Sequence, residues 1–217
     1  MTVERAMSHA ASEGGAQGAA GELGAVDLAM SRYADGDDAA FAEVFAGLGP
    51  RLHAFLRRLG GSEDLAADLT QETFMRMHRA RGSFARGTSV VPWAYAIARN
   101  CFVSHARSAR VKASRGAVDI DDHAAAAGLS ASAEETASAL QSAEIVQRTL
   151  AQMSDVNREA FVLIRFEGQS VAAAAQILGA TEGAVKLRAF RAYEMLREAL
   201  KRAEGTPTPD PSAGKRR

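Results

Sequence analysis

The stretch from Ser170 to Lys201 constrains the fold most, because it encodes two helices separated by a short turn. Ser170 can accept hydrogen bonds from the free N–H groups of the first helix. Gly179 ends that helix, since glycine adopts a left-handed backbone without a Cβ clash. Thr181 can cap the second helix. Apolar residues recur at helical spacing at Val171, Ala174, Ala175 and Leu178, and again at Val185, Ala189, Ala192, Leu196 and Leu200.

The other face of the second helix is basic. It carries Lys186, Arg188, Arg191, Arg197 and Arg202. A short helix, a tight turn and a longer basic amphipathic helix are typical of a helix-turn-helix that binds DNA. An ordinary helical hairpin with a solvated basic face produces a similar pattern, but the basic face favours DNA binding.

The charges of the chain are unevenly distributed. Its 26 Lys and Arg residues balance 26 Asp and Glu residues, so the formal net charge is zero and the whole chain is not a general binder of polyanions. The first fifty residues are acidic, whereas residues 51–115 and the end of the chain are rich in arginine. This asymmetry indicates local basic surfaces that meet nucleic acid.

Several classes of protein are disfavoured. The single cysteine, Cys101, excludes an intramolecular disulfide and a cysteine-based metal cluster, and its apolar neighbours favour a buried side chain over a reactive thiol. No apolar run is long enough for membrane insertion, and no secretory signal is visible, so we expect a cytoplasmic protein. Neither a phosphate-binding loop nor a catalytic triad is present, so we expect no enzymatic activity, cofactor or metal.

The first half of the chain predicts a series of helices. A short helix is expected over residues 27–33, and a second begins near Phe41, with Gly49-Pro50 expected to interrupt it. Ser62 is expected to cap the next helix. That helix has a polar face, and the simplest interpretation is that this face is exposed to water. That face consists of Asp68, Gln71, Glu72 and Arg76.

Residues 81–92 are expected to form a loop, and a basic helix follows from Trp93 to about Arg110. An aromatic-flanked loop that leads into a basic helix can splay and stack the bases of single-stranded DNA. Core packing is the alternative role for its aromatic residues, and for Trp93 we favour it. In the second half of the chain, Phe161 and Phe166 are expected to point inward.

The predicted fold class is all-α, with two small helical domains joined by a flexible linker, the C-terminal one a helix-turn-helix. Every clear element has a helical period, and no period-two alternation is present. The predicted segments are a disordered tail over residues 1–25, a domain over 26–111, a linker over 112–140, a domain over 141–203 and a disordered tail over 204–217.

Three stretches in this order resemble the bacterial RNA polymerase sigma factors of the sigma-70 family, extracytoplasmic-function (ECF) group. Asp64–Arg76 is close to the family's D-L-x-Q-E-T-F-x-R run. Phe84–Asn100 matches its F…W-x-Y-x-I-A-x-N pattern, and Gly183–Ala192 matches G-T-V-K-S-R-x-x-R-A. The resemblance spans residues 26–203.

The resemblance implies three sets of site residues. Docking on core RNA polymerase is implied for Asp68, Gln71, Glu72 and Arg76. Binding of the melted −10 promoter element is implied for Phe84, Arg86, Thr88, Ser89, Arg99, Asn100, His105 and Arg107. Binding of the −35 element is implied for Thr181, Lys186, Arg188, Phe190 and Arg191.

The resemblance also implies partners: core RNA polymerase, promoter DNA and an anti-sigma factor. Two other functions fit parts of the sequence. One is a stand-alone helix-turn-helix regulator with a helical partner-binding domain in front, and the other is a helical adaptor or anti-sigma decoy with a silent DNA face. The regulator predicts promoter binding without polymerase, whereas a sigma factor needs the core enzyme.

Overall fold

The computed structural model describes residues 13–114 and 133–204, with side chains described over 24–114 and 141–203. The first module consists of α1 (Glu13–Ala34), α2 (Phe41–Arg58), α3 (Glu63–Ala80) and α4 (Val90–Ser114). The second module consists of α5 (Ala133–Gln152), α6 (Asp155–Phe161), α7 (Val171–Leu178) and α8 (Glu182–Glu204). Short 3-10 helices span Asp38–Ala40 and Arg81–Ser83, and a π-helix spans Val162–Phe166. These residues contain no strand, so the all-α prediction is confirmed.

Helix α2 runs through Pro50 without a break, so the interruption predicted at Gly49-Pro50 is wrong. A proline inside a helix removes one backbone hydrogen bond. Leu48 and Leu52 on either side of it are fully buried in the same core, and we attribute the continuity of the helix to their packing. Tertiary burial therefore outweighs the local cost of the proline.

The core of the first module forms where α2, α3 and α4 meet. Phe55, Met77 and Tyr95 are almost completely buried there, and the rings of Phe55 and Tyr95 lie 5.0 Å apart between centroids. Each aromatic side chain removes a large apolar surface from water. This core fixes the faces that α3 and α4 present to solvent.

Several helix bounds differ from the predictions. Helix α1 begins at Glu13, inside the predicted N-terminal tail, and α4 begins at Val90 rather than Trp93. The predicted linker is helical at both ends, since α4 reaches Ser114 and α5 begins at Ala133. The remaining linker residues, 115–132, and the terminal segments 1–12 and 205–217 lie outside the described residues.

The two modules pack directly against each other. Helix α7 lies on α4, and apolar residues of both modules, such as Ala98 and Ile177, belong to one contiguous buried cluster. The prediction that Phe166 points inward is wrong, since this side chain is 43% exposed. It lies instead under the guanidinium of Arg58, 4.9 Å from the ring centroid, at the edge of the module interface.

The helix-turn-helix forms as its capping residues predict. Ser170 Oγ accepts from the Ala173 amide at 3.1 Å, and Thr181 Oγ1 accepts from the Ala184 amide at 3.2 Å. Gly179 ends α7 in the left-handed conformation, with φ 58° and ψ 41°. Local sequence therefore specifies the turn that orients α8.

Because of this core, two leucine-to-alanine variants should differ greatly in their free energy of unfolding. Leu48 is completely buried, whereas Leu28 is 70% exposed. Leu48→Ala should lower the free energy of unfolding by about 2 to 5 kcal/mol, because it removes buried methyl groups and leaves a cavity. Leu28→Ala should change it by less than about 0.5 kcal/mol. Urea denaturation measures both values, and similar losses for the two variants would contradict this core.

Candidate nucleic-acid interface

Helix α8 presents an open basic and apolar face. Val185 and Ala192 are buried against the rest of the second module. Lys186, Phe190 and Arg191 are exposed on the other side, and the Phe190 side chain is 60% exposed. An aromatic ring this exposed between two cations suits contact with a partner, since it can touch thymine methyl groups while the cations bind phosphates or guanine. Arg188 is half-buried, and Thr181 is exposed but uses its hydroxyl as the helix cap.

The distal arginines of α8 are engaged within the helix. Arg197 pairs with Glu194 at 2.7 Å, and Arg202 pairs with Glu198 at 3.2 Å. The cation nearest the start of the helix, Lys186, lies 3.9 Å from Glu182. The first half of α8 is therefore the part better placed to bind an external anion.

The loop before α4 is held in place by α1. Arg86 binds the Asp35 carboxylate and donates to the Ala34 carbonyl at 3.1 Å. Thr88 Oγ1 donates to the Ala85 carbonyl at 2.6 Å, which closes the loop on itself. Arg86 and Thr88 remain exposed, so the loop is both shaped and accessible. Arg86 thus has a structural contact in addition to its predicted role in DNA binding.

Phe84 does not lie on the surface of this loop. Its side chain is only 3% exposed, and its ring packs 5.4 Å from the Trp93 ring between centroids. In this arrangement Phe84 packs beneath the loop and supports it, and its contact with DNA stays a prediction. Trp93 is half-buried against the core, which agrees with the packing role favoured for it.

The start of α4 is set by a residue that the sequence did not reveal. Asp27 Oδ1, on α1, accepts from the Val90 amide at 2.7 Å and from Ser89 Oγ at 3.3 Å. A carboxylate at this position accepts a hydrogen bond from a free N–H group and interacts favourably with the positive end of the helix dipole. Because the cap comes from 63 residues away in the chain, no local signal could have shown it.

Helix α4 carries the other residues of the predicted −10 site, in two environments. Asn100, His105 and Arg107 are exposed. Arg99 is not free, since its Nε donates to Glu159 Oε2 of the second module at 2.9 Å. In this arrangement the second module therefore covers part of the predicted DNA-binding surface.

Cys101 lies on the inner side of α4 and is almost fully buried. Burial raises the pKa of this thiol, which keeps it protonated and unreactive. The expected role of Cys101 as a small buried side chain is confirmed.

The polar face of α3 contains two exposed residues and one ion pair. Asp68 and Gln71 are exposed. Glu72 accepts from Arg76 Nε at 3.0 Å, one helical turn away. The pair is partly exposed, and it fixes two charged side chains in one orientation on the helix surface.

An apolar groove of about 1180 Å³ lies beside this polar face, between α2 and α3. Phe45 and Met75 are both large apolar side chains left exposed at the groove. The lining also includes Phe41, Phe74, Gln71, His53 and His78. An exposed apolar groove with polar edges suits an amphipathic helix of another protein.

Within the residues that the structure describes, no group of three or more His, Cys, Asp or Glu side chains could hold a metal ion. The same part of the chain contains no helix that is long and apolar enough to cross a membrane.

Comparison with known families assigns these surfaces to known modules. Residues 44–111 match the model of Sigma-70 region 2, and residues 143–196 match the model of Sigma-70, region 4. The chain belongs to the sigma-70 family of RNA polymerase sigma factors. Sigma factors direct RNA polymerase to promoters for transcription initiation, and this is the function of the chain.

Two relatives share most of their length with this sigma factor. It is 37% identical over 174 residues to RNA polymerase sigma factor CarQ of Myxococcus xanthus, covering 79% of this chain and 95% of CarQ. It is 34% identical over 177 residues to ECF RNA polymerase sigma factor SigF of Caulobacter vibrioides, covering 81% of this chain and 94% of SigF.

Two solved structures share its fold. One is the sigma factor RpoE in complex with the anti-sigma factor NepR from Bartonella quintana, with a TM-score of 0.62, 30% identity, and coverage of 74% of this chain and 96% of that chain. The other is CnrH in complex with the cytosolic domain of CnrY, with a TM-score of 0.63, 24% identity, and coverage of 82% and 98%.

The cap on α4 yields a prediction for Asp27. Asp27→Ala should lower the free energy of unfolding by about 1 kcal/mol, because the Val90 amide loses its acceptor. Amide hydrogen exchange at Val90 should become faster. Asp27→Asn keeps a side-chain oxygen that can accept from the Val90 amide, so it should lower the free energy of unfolding much less. Unchanged exchange at Val90 in Asp27→Ala would contradict the cap.

Proposed function

We propose that this sigma factor uses three separate surfaces: one on α3 for core polymerase, one on α4 and its preceding loop for the −10 strand, and one on α8 for the −35 duplex. The observation that carries the proposal is the exposure of all three kinds of surface on one chain. An apolar groove with a polar edge lies on α3, and basic exposed faces lie on α4 and α8. A stand-alone regulator with a partner-binding domain could also use the groove, but a regulator that binds DNA only through its helix-turn-helix has no need of the surface on α4.

The proposed polymerase contact joins the groove to the polar face of α3. Phe45 and Met75 supply exposed apolar area, and Gln71 lies on the rim of the groove. Apolar side chains at the centre of such an interface and polar side chains at its rim both contribute to affinity, and the polar groups also fix the orientation of the partner. The paired side chains of Glu72 and Arg76 are already oriented, so docking costs them less conformational entropy.

The proposed −10 contact combines a shaped loop with a basic helix. The loop is fixed to α1 through Arg86 and through the Asp27 cap, so its exposed hydroxyl groups are held before DNA arrives. Asn100 and Arg107 extend this surface along α4. A preformed surface for single-stranded DNA favours the melted promoter over the duplex.

The proposed −35 contact places the first half of α8 in the major groove. The helix-turn-helix fixes its direction through the caps at Ser170 and Thr181. Lys186, Phe190 and Arg191 then face the DNA, with cations for phosphates or guanine and a ring for thymine methyl groups.

The energy for melting comes from binding. Bases and phosphates held by the first module stabilise the open strand, so no nucleotide hydrolysis by this chain is required. We propose that the chain is not a catalyst and acts in the cytoplasm. Since one similar structure is a sigma factor bound to the anti-sigma factor NepR, we also propose an anti-sigma partner for this chain.

Run-off transcription with core polymerase on a pool of genomic promoter fragments tests the function. Specific initiation should occur only when the chain is added. Binding of promoter duplex by the chain alone, with no initiation from any template in the presence of core polymerase, would favour a stand-alone regulator and overturn the proposal.

Gln71→Ala combined with Glu72→Ala should weaken binding to core polymerase by about tenfold, because it removes polar contacts from the docking face. Binding of the −35 element by α8 should be unchanged. Titration of labelled sigma factor with core enzyme measures the first property. Loss of initiation with normal affinity for core would place the docking surface elsewhere.

Lys186→Ala combined with Phe190→Ala should have the reciprocal effect. Initiation from promoters that depend on the −35 element should fall by about tenfold or more, since both phosphate and methyl contacts are removed. Affinity for core polymerase should stay within about twofold. The two double variants thus serve as controls for each other, and a shared defect would indicate misfolding.

A further inference from the structure

Two carboxylates of the second module are buried against the first module. The side chains of Glu159 and Glu167 are each only 4% exposed, and each has its cationic partner across the module interface. Buried carboxylates are costly unless they are paired and hydrogen-bonded. Their position is therefore a specific feature of the way the modules pack.

Glu167 lies at the centre of this interface. Its Oε1 accepts from Arg58 Nη1 at 2.8 Å, and its Oε2 accepts from the Tyr95 hydroxyl at 2.7 Å. The π-helix leads into this position, since the Glu167 amide donates to the Val162 carbonyl five residues earlier, at 3.0 Å. Burial, together with the neighbouring Glu167, raises the pKa of Tyr95 and keeps its hydroxyl a donor.

Glu159 makes the second contact, to Arg99 on α4. A third, more exposed pair joins Arg110 and Asp155 at 2.9 Å. All three ion pairs have the same polarity, with the cation on the first module and the carboxylate on the second. The surface that the second module covers is thus basic, and the covering groups are acidic.

Stability alone does not explain this choice of residues. A buried ion pair commonly adds no more stability than well-packed apolar side chains would. The packing here is also imperfect, because Arg158 Nε is buried with no hydrogen-bond partner among the described residues. The ion pairs do show that this surface of the first module, with Arg58 and Arg99, is complementary to anionic groups.

We propose that Arg58, Tyr95 and Arg99, here called the arginine face, form a binding site for the phosphodiester backbone of single-stranded DNA, and that Glu159 and Glu167 occupy this site in the closed chain. Carboxylate and phosphate oxygens accept hydrogen bonds from the same guanidinium and hydroxyl donors. Neither Arg58 nor Tyr95 was among the residues predicted to bind DNA from the sequence.

The two occupants exclude each other. While the second module lies on α4, Arg58, Tyr95 and Arg99 are engaged by its carboxylates, so the chain cannot hold a DNA strand there. Movement of the second module frees the face. This inference rests on the proposed −10 function of α4, and it predicts that the free sigma factor binds single-stranded DNA weakly.

Glu159→Gln combined with Glu167→Gln tests the proposal in the full-length chain. Glutamine keeps the shape of each side chain but removes the charge that holds the arginines. A fluorescein-labelled single-stranded DNA of mixed sequence serves as the probe in an anisotropy titration. We expect the variant to bind this DNA about tenfold more tightly than the unmodified chain, a change of about 1.4 kcal/mol.

Glu194→Gln combined with Glu198→Gln is the matched control. It makes the same change of net charge in the same module and, like the test variant, releases two arginines from their carboxylates, but its ion pairs lie within α8, away from the interface. Its affinity for the probe should change by less than about threefold. An equal gain in the control would assign the effect to net charge and overturn the proposal.

A distance measurement separates the two parts of the inference. Cys101 is buried, so dyes can be attached at Ser108→Cys on α4 and Lys201→Cys on α8. The Glu159→Gln, Glu167→Gln chain should show lower energy transfer, which reports separation of the modules. Unchanged transfer would show that these carboxylates do not hold the closed state. Separation without tighter DNA binding would show that the exposed face is not a DNA site.

Arg58→Ala in the Glu159→Gln, Glu167→Gln background supplies the last control. It should abolish most of the gain in affinity and lessen the dependence of binding on salt, because one phosphate contact is lost. A retained gain would exclude Arg58 from the site. Transcription by the unmodified chain with core polymerase tests the proposed function separately, so failure of either proposal can be recognised.

Discussion

The contact of Glu167 with Arg58 and Tyr95 is the interaction on which the arrangement of the two modules depends. It lies beside the contiguous apolar cluster that α4 and α7 share, and it is buried in the same interface. Apolar packing can hold two surfaces together in several registers, whereas a carboxylate between a guanidinium and a hydroxyl accepts only one. We infer that this contact among three residues helps to fix how the second module, and with it α8, packs against α4.

Most helices, and the turn and caps of the helix-turn-helix, could be predicted from the sequence, because they depend on residues close together in the chain. Ser170, Gly179 and Thr181 act within a few residues of their own positions, and the buried stripe of α8 follows its period. The continuity of α2 through Pro50 could not be predicted, because it depends on packing by other helices. The burial of Phe84 could not be predicted for a related reason: a pattern identifies the loop but not the side of it that Trp93 covers.

The long-range contacts of the site could not be predicted from the sequence either. Asp27 and Val90 are 63 residues apart, Arg99 and Glu159 are 60 apart, and Arg58 and Glu167 are 109 apart. Periodicity reports which side of a helix is buried, but not which distant carboxylate a given arginine meets. The family resemblance identified the exposed residues of α3, α4 and α8 as sites, and their DNA and polymerase contacts stay predictions. It contained nothing about Glu159 and Glu167.

We propose that the second module of this sigma factor lies over part of the predicted −10 surface of the same chain until a partner separates them. The most direct test is the distance between labels on α4 and α8, measured by electron spin resonance in the free chain and after addition of core polymerase and promoter DNA. A single short distance in the free chain that becomes longer in the complex is the result we predict. The same short distance in both states would contradict the claim, since the second module would then still cover Arg99 while the promoter is bound.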